Sequence, residues 1–365
     1  MRLNLKYILV FITVIIDASW ESYCGCKTTR PCYKAMIDTL QDRDEAQCIE
    51  NASLGTSTIT IFLKALKLFC GEIVDVRSDY MTYEGRNLYE VTLNTSATKG
   101  IEDSPKPVIL IEAGQNGGTG PIDMALFVIE QLVACNEYND MIEKVNWVIL
   151  PCTNPDGFEY VRYYQNTWRK NFRPTEDNMT YGVDISRNFN ESWNVCSNPG
   201  NTFSQKYAGY TAASENETLF MINVFNKHSD NLKAYLSLRR DGHSILYPYA
   251  SVNGSTDTQL PRKKAADIAA KINYRAGIVQ WFVTDTIFNM NGMAHCGHSV
   301  DYVFNNHHVP YSYEMRVFLE SDRLMLKRFQ KLPPGYKVSL RNGYFSGIRE
   351  LYNVVVNEKK HNNIY

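Results

Sequence analysis

Two arginines follow a turn that ends an apolar segment near the middle of the chain, and their side chains could bind an anion. Residues 147–150 are apolar and lead directly into a turn rich in Pro, Asn, Asp and Gly at 151–158. This pattern predicts a buried strand that stops at the edge of a sheet, where side chains can reach a ligand. Arg169 and Arg187 come after the turn. Because a guanidinium can hold a carboxylate through two parallel hydrogen bonds, both are candidate anion-binding residues.

Two further stretches contain features that bind ions in other proteins. His295, Cys296 and His298 lie close enough in sequence to bind a transition metal, but no regular zinc spacing emerges. The preferred interpretation is an inserted loop in which Cys296 forms a disulfide. The glycine-rich loop at 114–120 precedes a predicted helix, as phosphate-binding loops do. It lacks the Gly-Lys-Ser/Thr ending, so we expect no phosphate site there.

Alternating strands and helices must position these side chains. Pro121 suits the first position of a helix, and Ser214 with Glu217 forms a capping-box pattern that predicts a helix running toward Lys227. Apolar or alternating segments predict strands at 89–93, 108–111 and 234–238, and a helix at 61–69. We predict a single α/β domain with a central mixed, mostly parallel β-sheet covered by helices on both faces.

The same stretches resemble the zinc carboxypeptidase A/B family. In that family, the segments matching 153–157, 168–170 and 182–188 line one pocket that grips the C-terminal carboxylate of a peptide. The full set of matching motifs runs in family order and lies at 83–86, 153–157, 168–170, 182–188, 246–249 and 311–316. The resemblance implies a carboxypeptidase A-like domain, which we place at 56–357.

The resemblance also implies where zinc would bind, and the chain lacks the family's ligands there. Family members place a histidine and a glutamate in the loop after the strand matching 108–111, and a second histidine at the end of a later strand. The corresponding residues here are Asn116, Thr119 and Arg239. None is a strong zinc ligand, and the cationic Arg239 would repel Zn²⁺. We therefore expect no zinc cofactor.

The histidines matter because a shifted alignment might restore a ligand. None of the chain's seven histidines precedes Lys227, so no shift can restore the first ligand. His243 could replace the third zinc ligand, at the position of Arg239, only if the alignment were shifted by four residues. An unusual metal site through His243, or through His295 with His298, remains open.

Several residues that contact substrate in the family are retained. The resemblance assigns carboxylate binding to Arg187, with Ser186 in place of an asparagine, and oxyanion stabilisation to Arg169. Glu314 matches the general base, but without a metal it has no activated water. Val300 lies where the family sets its side-chain preference, which predicts an apolar C-terminal residue. Alternatively, Arg169, Arg187 and Glu314 are paired structural ions in an inactive cleft.

Two other substrate contacts of the family are missing. The mobile tyrosine of the family falls on Phe288 or Met293, neither of which has a hydroxyl group. The substrate-contacting arginine of the zinc loop becomes Gly118.

Composition and the N-terminus favour an exported protein. The chain has 365 residues with 38 basic and 39 acidic side chains and no long charge run, so no nucleic-acid partner is expected. Residues 1–19 have the basic, apolar and small-residue parts of a secretory signal. A Cys-rich segment at 20–55 and a polar tail at 358–365 flank the predicted domain. Nine cysteines imply disulfides with one cysteine left over. Glycosylation sequons occur at Asn51, Asn94, Asn178, Asn190, Asn216 and Asn253.

Three functions fit these observations. The favoured one is a secreted, extracellular glycoprotein that has lost peptidase activity and binds peptide or protein C-termini, with no membrane association after signal removal. The second is an active zinc metallocarboxypeptidase that releases apolar C-terminal residues through an unusual metal site. The third is a structural or interaction protein with a vestigial cleft. Metal content separates the first two, and a mutation in the pocket separates the first from the third.

Overall fold

The computed structural model of the protein describes most of the predicted domain. The described residues are 55–95, 106–134, 136–164, 167–196, 200–254, 256–276, 281–318 and 336–362. The predicted signal, nearly all of the Cys-rich segment and the sequon at Asn51 lie outside them.

An eight-stranded mixed sheet forms the centre of the fold, in the order β1-β2-β4-β3-β5-β8-β6-β7. Its strands are β1 Val74–Met81, β2 Asn87–Leu93, β3 Val108–Ala113, β4 Asn146–Leu150, β5 Leu232–Arg239, β6 Ser244–Tyr247, β7 Val283–Thr286 and β8 Tyr311–Arg316. Four neighbouring pairs are parallel, including β3 with β4, β3 with β5 and β5 with β8. Three pairs are antiparallel. The predicted fold class is therefore confirmed.

Helices cover both faces of the sheet. The described helices are α1 Thr56–Cys70, α2 Thr119–Ala134, α3 Asn139–Lys144, α4 Pro155–Tyr163, α5 Asn216–His228, α6 Gln259–Ala276, α7 Ile287–Asn291, α8 Ser299–Asn306 and α9 Tyr336–Asn362. Side chains of β3 alternate between two cores, with Ile109 and Ile111 in one and Val108 and Leu110 in the other. A strand buried on both faces in this way explains the continuous apolar sequence. No helix among the described ranges is long and apolar enough to cross a membrane.

Several element boundaries differ from the sequence predictions. Helix α1 begins at Thr56, five residues earlier than predicted, and α9 extends through Asn362 into the predicted polar tail. The capping-box prediction at α5 was wrong, because Glu215 is the N-cap and no side chain caps the helix. The Ser214 hydroxyl donates to the Glu215 carboxylate, and Glu217 is buried.

The carboxyl ends of four parallel strands meet at one edge of the sheet. Asn116 follows β3, Thr153 follows β4, and Arg239 and Arg316 are the last residues of β5 and β8. Ligands bind at such an edge in open α/β sheets, because loops and side chains converge there.

Candidate ligand-binding cleft

A cleft of about 320 Å³ opens at this edge of the sheet, and it contains most of the site residues predicted from the sequence. Its wall is polar and largely charged. The lining residues are Asn116, Arg169, Asp184, Ser186, Arg187, Gln205, Lys206, Arg239, Arg240, Asp241, Asn291, Met293, His295, Glu314 and Arg316.

Asp184 holds the segment that carries the predicted carboxylate-binding residues. It caps the short 3₁₀ helix Ile185–Arg187, accepting hydrogen bonds from the Ser186 backbone N–H at 3.1 Å and the Ser186 hydroxyl at 2.6 Å. The amide of Asn116 donates to the same oxygen at 3.0 Å. Arg187 donates only its Nε to Asp184, at 3.2 Å, and its side chain is 15% exposed. Among the described residues, the terminal nitrogens of Arg187 have no hydrogen-bonding partner, so both can meet a ligand.

Arg239 lies at the centre of the degenerate zinc site. Its side chain is 4% exposed, and it donates to Ser237 Oγ at 2.6 Å, Asn116 Oδ1 at 3.2 Å and Ser299 Oγ at 3.2 Å. Two of the three predicted zinc positions thus meet, but they meet as a hydrogen-bond donor and its acceptor. Thr119, the third, is the partly buried first residue of α2 and does not line the cleft.

These residues do not fit a zinc ion. Zinc sites in proteins need several imidazole, thiolate or carboxylate ligands, and a guanidinium offers only donors and a positive charge. The described part of the chain contains no group of three His, Cys, Asp or Glu side chains that could hold a metal ion.

A buried carboxylate lies behind Arg239. Glu112 on β3 is fully buried, with its Oε1 3.9 Å from Arg239 Nε. It accepts hydrogen bonds from Gln115 at 2.7 Å, from Thr153 at 3.2 Å and from the Ser237 hydroxyl. Burial raises the pKa of Glu112, and the charge of Arg239 opposes this rise only in part. Nothing in the sequence pattern marked Glu112, because it directly follows the predicted strand 108–111 and matches none of the motifs.

Glu314, the predicted general base, is held on both of its oxygens. Arg316 Nε donates to Oε1 at 2.6 Å, and His298 Nε2 lies 2.9 Å from Oε2. The backbone N–H of Val300 donates to His298 Nδ1, so the ring proton is on Nε2 and points at Glu314. Burial alone would raise the pKa of Glu314, but Arg316 and His298 hold it well below its ordinary value. A carboxylate with so low a pKa and no free oxygen is a poor proton acceptor.

Contacts within the protein engage the ring nitrogens of His295 and His298. His295 Nε2 lies 3.0 Å from the Ser186 carbonyl oxygen, and its Nδ1 lies 3.4 Å from the Asn291 amide. Together with the two contacts of His298, all four ring nitrogens have a partner. Burial and the neighbouring Arg187 hold the pKa of His295 well below its ordinary value.

A disulfide and a close backbone contact fix this loop. Cys296 forms the predicted disulfide, with Cys196 as its partner. Gly297 adopts a left-handed φ of 69°, and a Cβ there would collide with the Arg187 carbonyl group. Only glycine allows this approach between the loop and the carboxylate-binding segment.

His243, the other histidine considered for a metal, lies away from the cleft. Its Nδ1 is 2.7 Å from the Tyr344 hydroxyl, and its ring packs edge-on against Phe282 and Phe318. It is a buried part of the core.

Arg169 and Arg240 share one carboxylate at the rim of the cleft. Arg169 pairs closely with Asp241, and Arg240 Nε lies 3.3 Å from the same oxygen. Arg240 also donates to the Trp168 carbonyl at 2.7 Å. A Cβ on Gly118 would lie 2.7 Å from Arg240 Cδ, so Arg240 fills the space beside the position where the family has its arginine. Sequence reasoning missed Arg240.

Val300 does not line the cleft. It is fully buried in the core cluster on one face of the sheet. Of the two candidates for the family tyrosine, Met293 lines the cleft and lies 3.3 Å from Lys206 Nζ, whereas Phe288 does not line it.

Comparisons with known proteins identify the family and the fold. The sequence matches the family model described as zinc carboxypeptidase over residues 59–339. A carboxypeptidase B from Helicoverpa zea is 33% identical over 174 residues, which is 46% of this chain and 39% of that protein. Zinc carboxypeptidase A 1 from Drosophila melanogaster is 30% identical over 241 residues, which is 64% of this chain and 55% of that protein. The chain therefore spans less than two thirds of the length of either relative.

The fold is also that of a solved carboxypeptidase. The crystal structure of carboxypeptidase A from Helicoverpa armigera superimposes with a TM-score of 0.76 at 20% sequence identity, covering 91% of this chain and 80% of that one. At this sequence identity the similarity establishes the fold alone. What the cleft can bind or catalyse depends on its own residues.

Proposed function

The chain belongs to the zinc carboxypeptidase family, and we propose that its cleft binds the free C-terminal carboxylate of a peptide or protein without cleaving it. The observation that carries this proposal is the state of Arg187. Its Nε is anchored by Asp184, its side chain is 15% exposed and the residue lines the cleft, and its terminal nitrogens have no partner among the described residues. A guanidinium oriented in this way can hold a carboxylate in a bidentate pair.

The loss of cleavage is supported at two independent places. The hydrogen bond from Arg239 to Asn116 supports the loss of the metal site, since neither residue nor Thr119 is a strong zinc ligand. Glu314 would also fail as a base, because Arg316 and His298 occupy its two oxygens. Acid or base assistance typically contributes about 10²- to 10⁴-fold, which is small beside the acceleration that amide hydrolysis requires.

The protein is further proposed to act outside the cell. This rests on the signal-like residues 1–19, the sequons and the disulfide. Four of the described sequon asparagines are exposed, as a glycan requires: Asn178, Asn190, Asn216 and Asn253.

Calorimetric titration with matched peptides tests the binding role. A peptide with a free C-terminal carboxylate should bind, and the same peptide as a C-terminal amide should bind at least about tenfold more weakly, since a charge-assisted hydrogen bond contributes about 1.5–3 kcal/mol. Arg187→Gln should abolish the difference. Arg275→Gln, which removes an exposed arginine of α6, is the matched control and should preserve it. If acid and amide bind equally, the cleft is vestigial and the interaction-protein function takes precedence.

A further inference from the structure

Two arginines lie side by side on the floor of the cleft. Arg239 and Arg316 end the neighbouring parallel strands β5 and β8, and they are register partners in the sheet. Partners on adjacent strands have backbones about 5 Å apart and direct their side chains to the same face. Both side chains line the cleft. Like charges on neighbouring residues repel one another unless anions lie between or beside them.

The carboxylates of the cleft do not balance its cations. Among the described residues, five arginines and Lys206 line the cleft against three carboxylates, which leaves an excess of three positive charges. Each carboxylate is already engaged: Asp184 with Arg187, Asp241 with Arg169 and Arg240, and Glu314 with Arg316. Glu112 behind Arg239 offsets one charge at most, and burial raises its pKa. The cleft is therefore cationic although the whole chain has a formal net charge of −1.

Both floor arginines keep donors beyond those they use. A guanidinium has five N–H donors. Arg239 donates three hydrogen bonds, to Ser237, Asn116 and Ser299, and Arg316 donates two, to Glu314 and to Asn291 at 2.6 Å. Among the contacts of the described residues, two N–H donors of Arg239 and three of Arg316 are therefore unused. Arg239 is 96% buried, so its hydrogen-bonded framework is rigid and its charge is only weakly screened by solvent.

We infer that the cleft selects ligands whose last residue is acidic, with the terminal carboxylate at Arg187 and the side-chain carboxylate at Arg239 and Arg316. This inference rests on the proposed function and specifies its ligand. The apolar preference expected from Val300 gains no support from the cleft, because that side chain lies in the core. The terminal carboxylate would pair with Arg187, and the side-chain carboxylate would add one anion beside Arg239 and Arg316, where the cationic excess lies.

Titration of the wild-type protein with peptides that differ only in the last residue tests this inference. Peptides ending in Glu, Gln and Leu are compared as free acids and as amides. Among the acids, Glu should bind at least about tenfold more tightly than its isostere Gln at low ionic strength, because one additional charged pair forms in a partly desolvated cleft. The ratio should fall at high salt, where exposed charges are screened.

Variants at the floor identify the residues responsible. Arg316→Gln should bring the Glu-to-Gln affinity ratio close to one while the acid-to-amide ratio persists, and Arg316→Lys should retain part of the preference. Arg275→Gln should leave both ratios unchanged. Thermal unfolding checks that each variant is folded. If Arg316→Gln does not fold, the peptide series with the wild-type protein still tests the acidic preference.

The possible failures are distinguishable. Equal affinity for the Glu and Gln acids, with acids still preferred over amides, would overturn the acidic preference and leave the proposed function standing. Equal affinity for acids and amides would overturn the proposed function itself. Stronger binding of the Leu acid than of the Glu acid would restore the apolar preference.

Discussion

His298 donates its Nε2 proton to Glu314 Oε2 across 2.9 Å, and its other ring nitrogen accepts the Val300 amide. The histidine is fully buried, so the contact is sheltered from water. With Arg316 on the other oxygen, the carboxylate that would act as a base in a peptidase is a structural ion here. The sequence left two interpretations of Glu314 open, a general base and a paired structural ion. These contacts favour the structural ion.

Replacing Glu314 should destabilise the protein in a pH-dependent way. Glu314→Gln leaves Arg316 without its carboxylate partner, and we expect the free energy of unfolding at pH 7 to fall by about 3 kcal/mol. The pKa of Glu314 is lowered in the folded state. Its stabilisation is therefore fully present above the unfolded pKa of about 4.3 and is lost as the pH falls through the lower folded value.

Urea unfolding at pH 7 and at successively lower pH measures this effect. The difference between parent and variant should shrink as the solution becomes acidic. Asp75→Asn is the control, since Asp75 is 46% exposed and pairs with Lys67 and Arg77 at the surface. Asp75→Asn should lower the free energy of unfolding by less than about 1 kcal/mol. A Glu314→Gln protein as stable as its parent at pH 7 would mean that the carboxylate is not held as described.

The purified protein should contain no stoichiometric zinc. Arg239 donates to Asn116 where the family places two ligands, and a guanidinium repels a divalent cation. Elemental analysis after dialysis against trace Zn²⁺ measures the content, and one zinc per chain would contradict the prediction. The triple variant Asn116→His, Thr119→Glu, Arg239→His should gain zinc binding. It should still hydrolyse peptides poorly, because Arg316 and His298 continue to hold Glu314.

Cys152 should resist modification until the protein unfolds. It is a buried free thiol just after β4, and burial raises its pKa. The thiolate is the reactive form, so a raised pKa and lack of access both suppress alkylation. Mass spectrometry after iodoacetamide treatment should find residue 152 unmodified in the native protein and modified in denaturant. Rapid labelling of the native protein would contradict this.

Removing the Cys196–Cys296 disulfide should destabilise the fold and loosen the loop that carries His295. The bond closes a segment with a sequence separation of 100 residues, and disulfides typically contribute about 2–4 kcal/mol. A Cys196→Ser, Cys296→Ser double variant should therefore unfold at lower denaturant concentration and bind C-terminal peptides more weakly. Unchanged stability and affinity would mean that the hydrogen bonds of His295 alone hold the loop.

The sequence predicted the residues that follow strand ends better than the contacts between loops. Asn116, Arg187 and Arg239 could be placed at one sheet edge because each lies at a fixed distance from a motif. The contact of His298 with Glu314 could not be foreseen, since it depends on a loop fixed by Gly297 and a disulfide. Arg240 was missed because it occupies the space left by the absent side chain of Gly118, a contact between two loops that the sequence does not specify. The burial of Val300 in the core could not be read from its position in the motif series, because it depends on how helix α8 packs against the sheet.

The central claim is that the cleft binds a C-terminal carboxylate without metal and without cleavage. Titrating the wild-type protein with a Glu-ending peptide, with and without a zinc chelator, tests it most directly when the peptide is recovered and its mass measured afterwards. We predict the same affinity in both titrations and a peptide of unchanged mass. Loss of binding in the chelator, or a peptide shortened by its last residue, would contradict the claim and identify the protein as a metal-dependent carboxypeptidase.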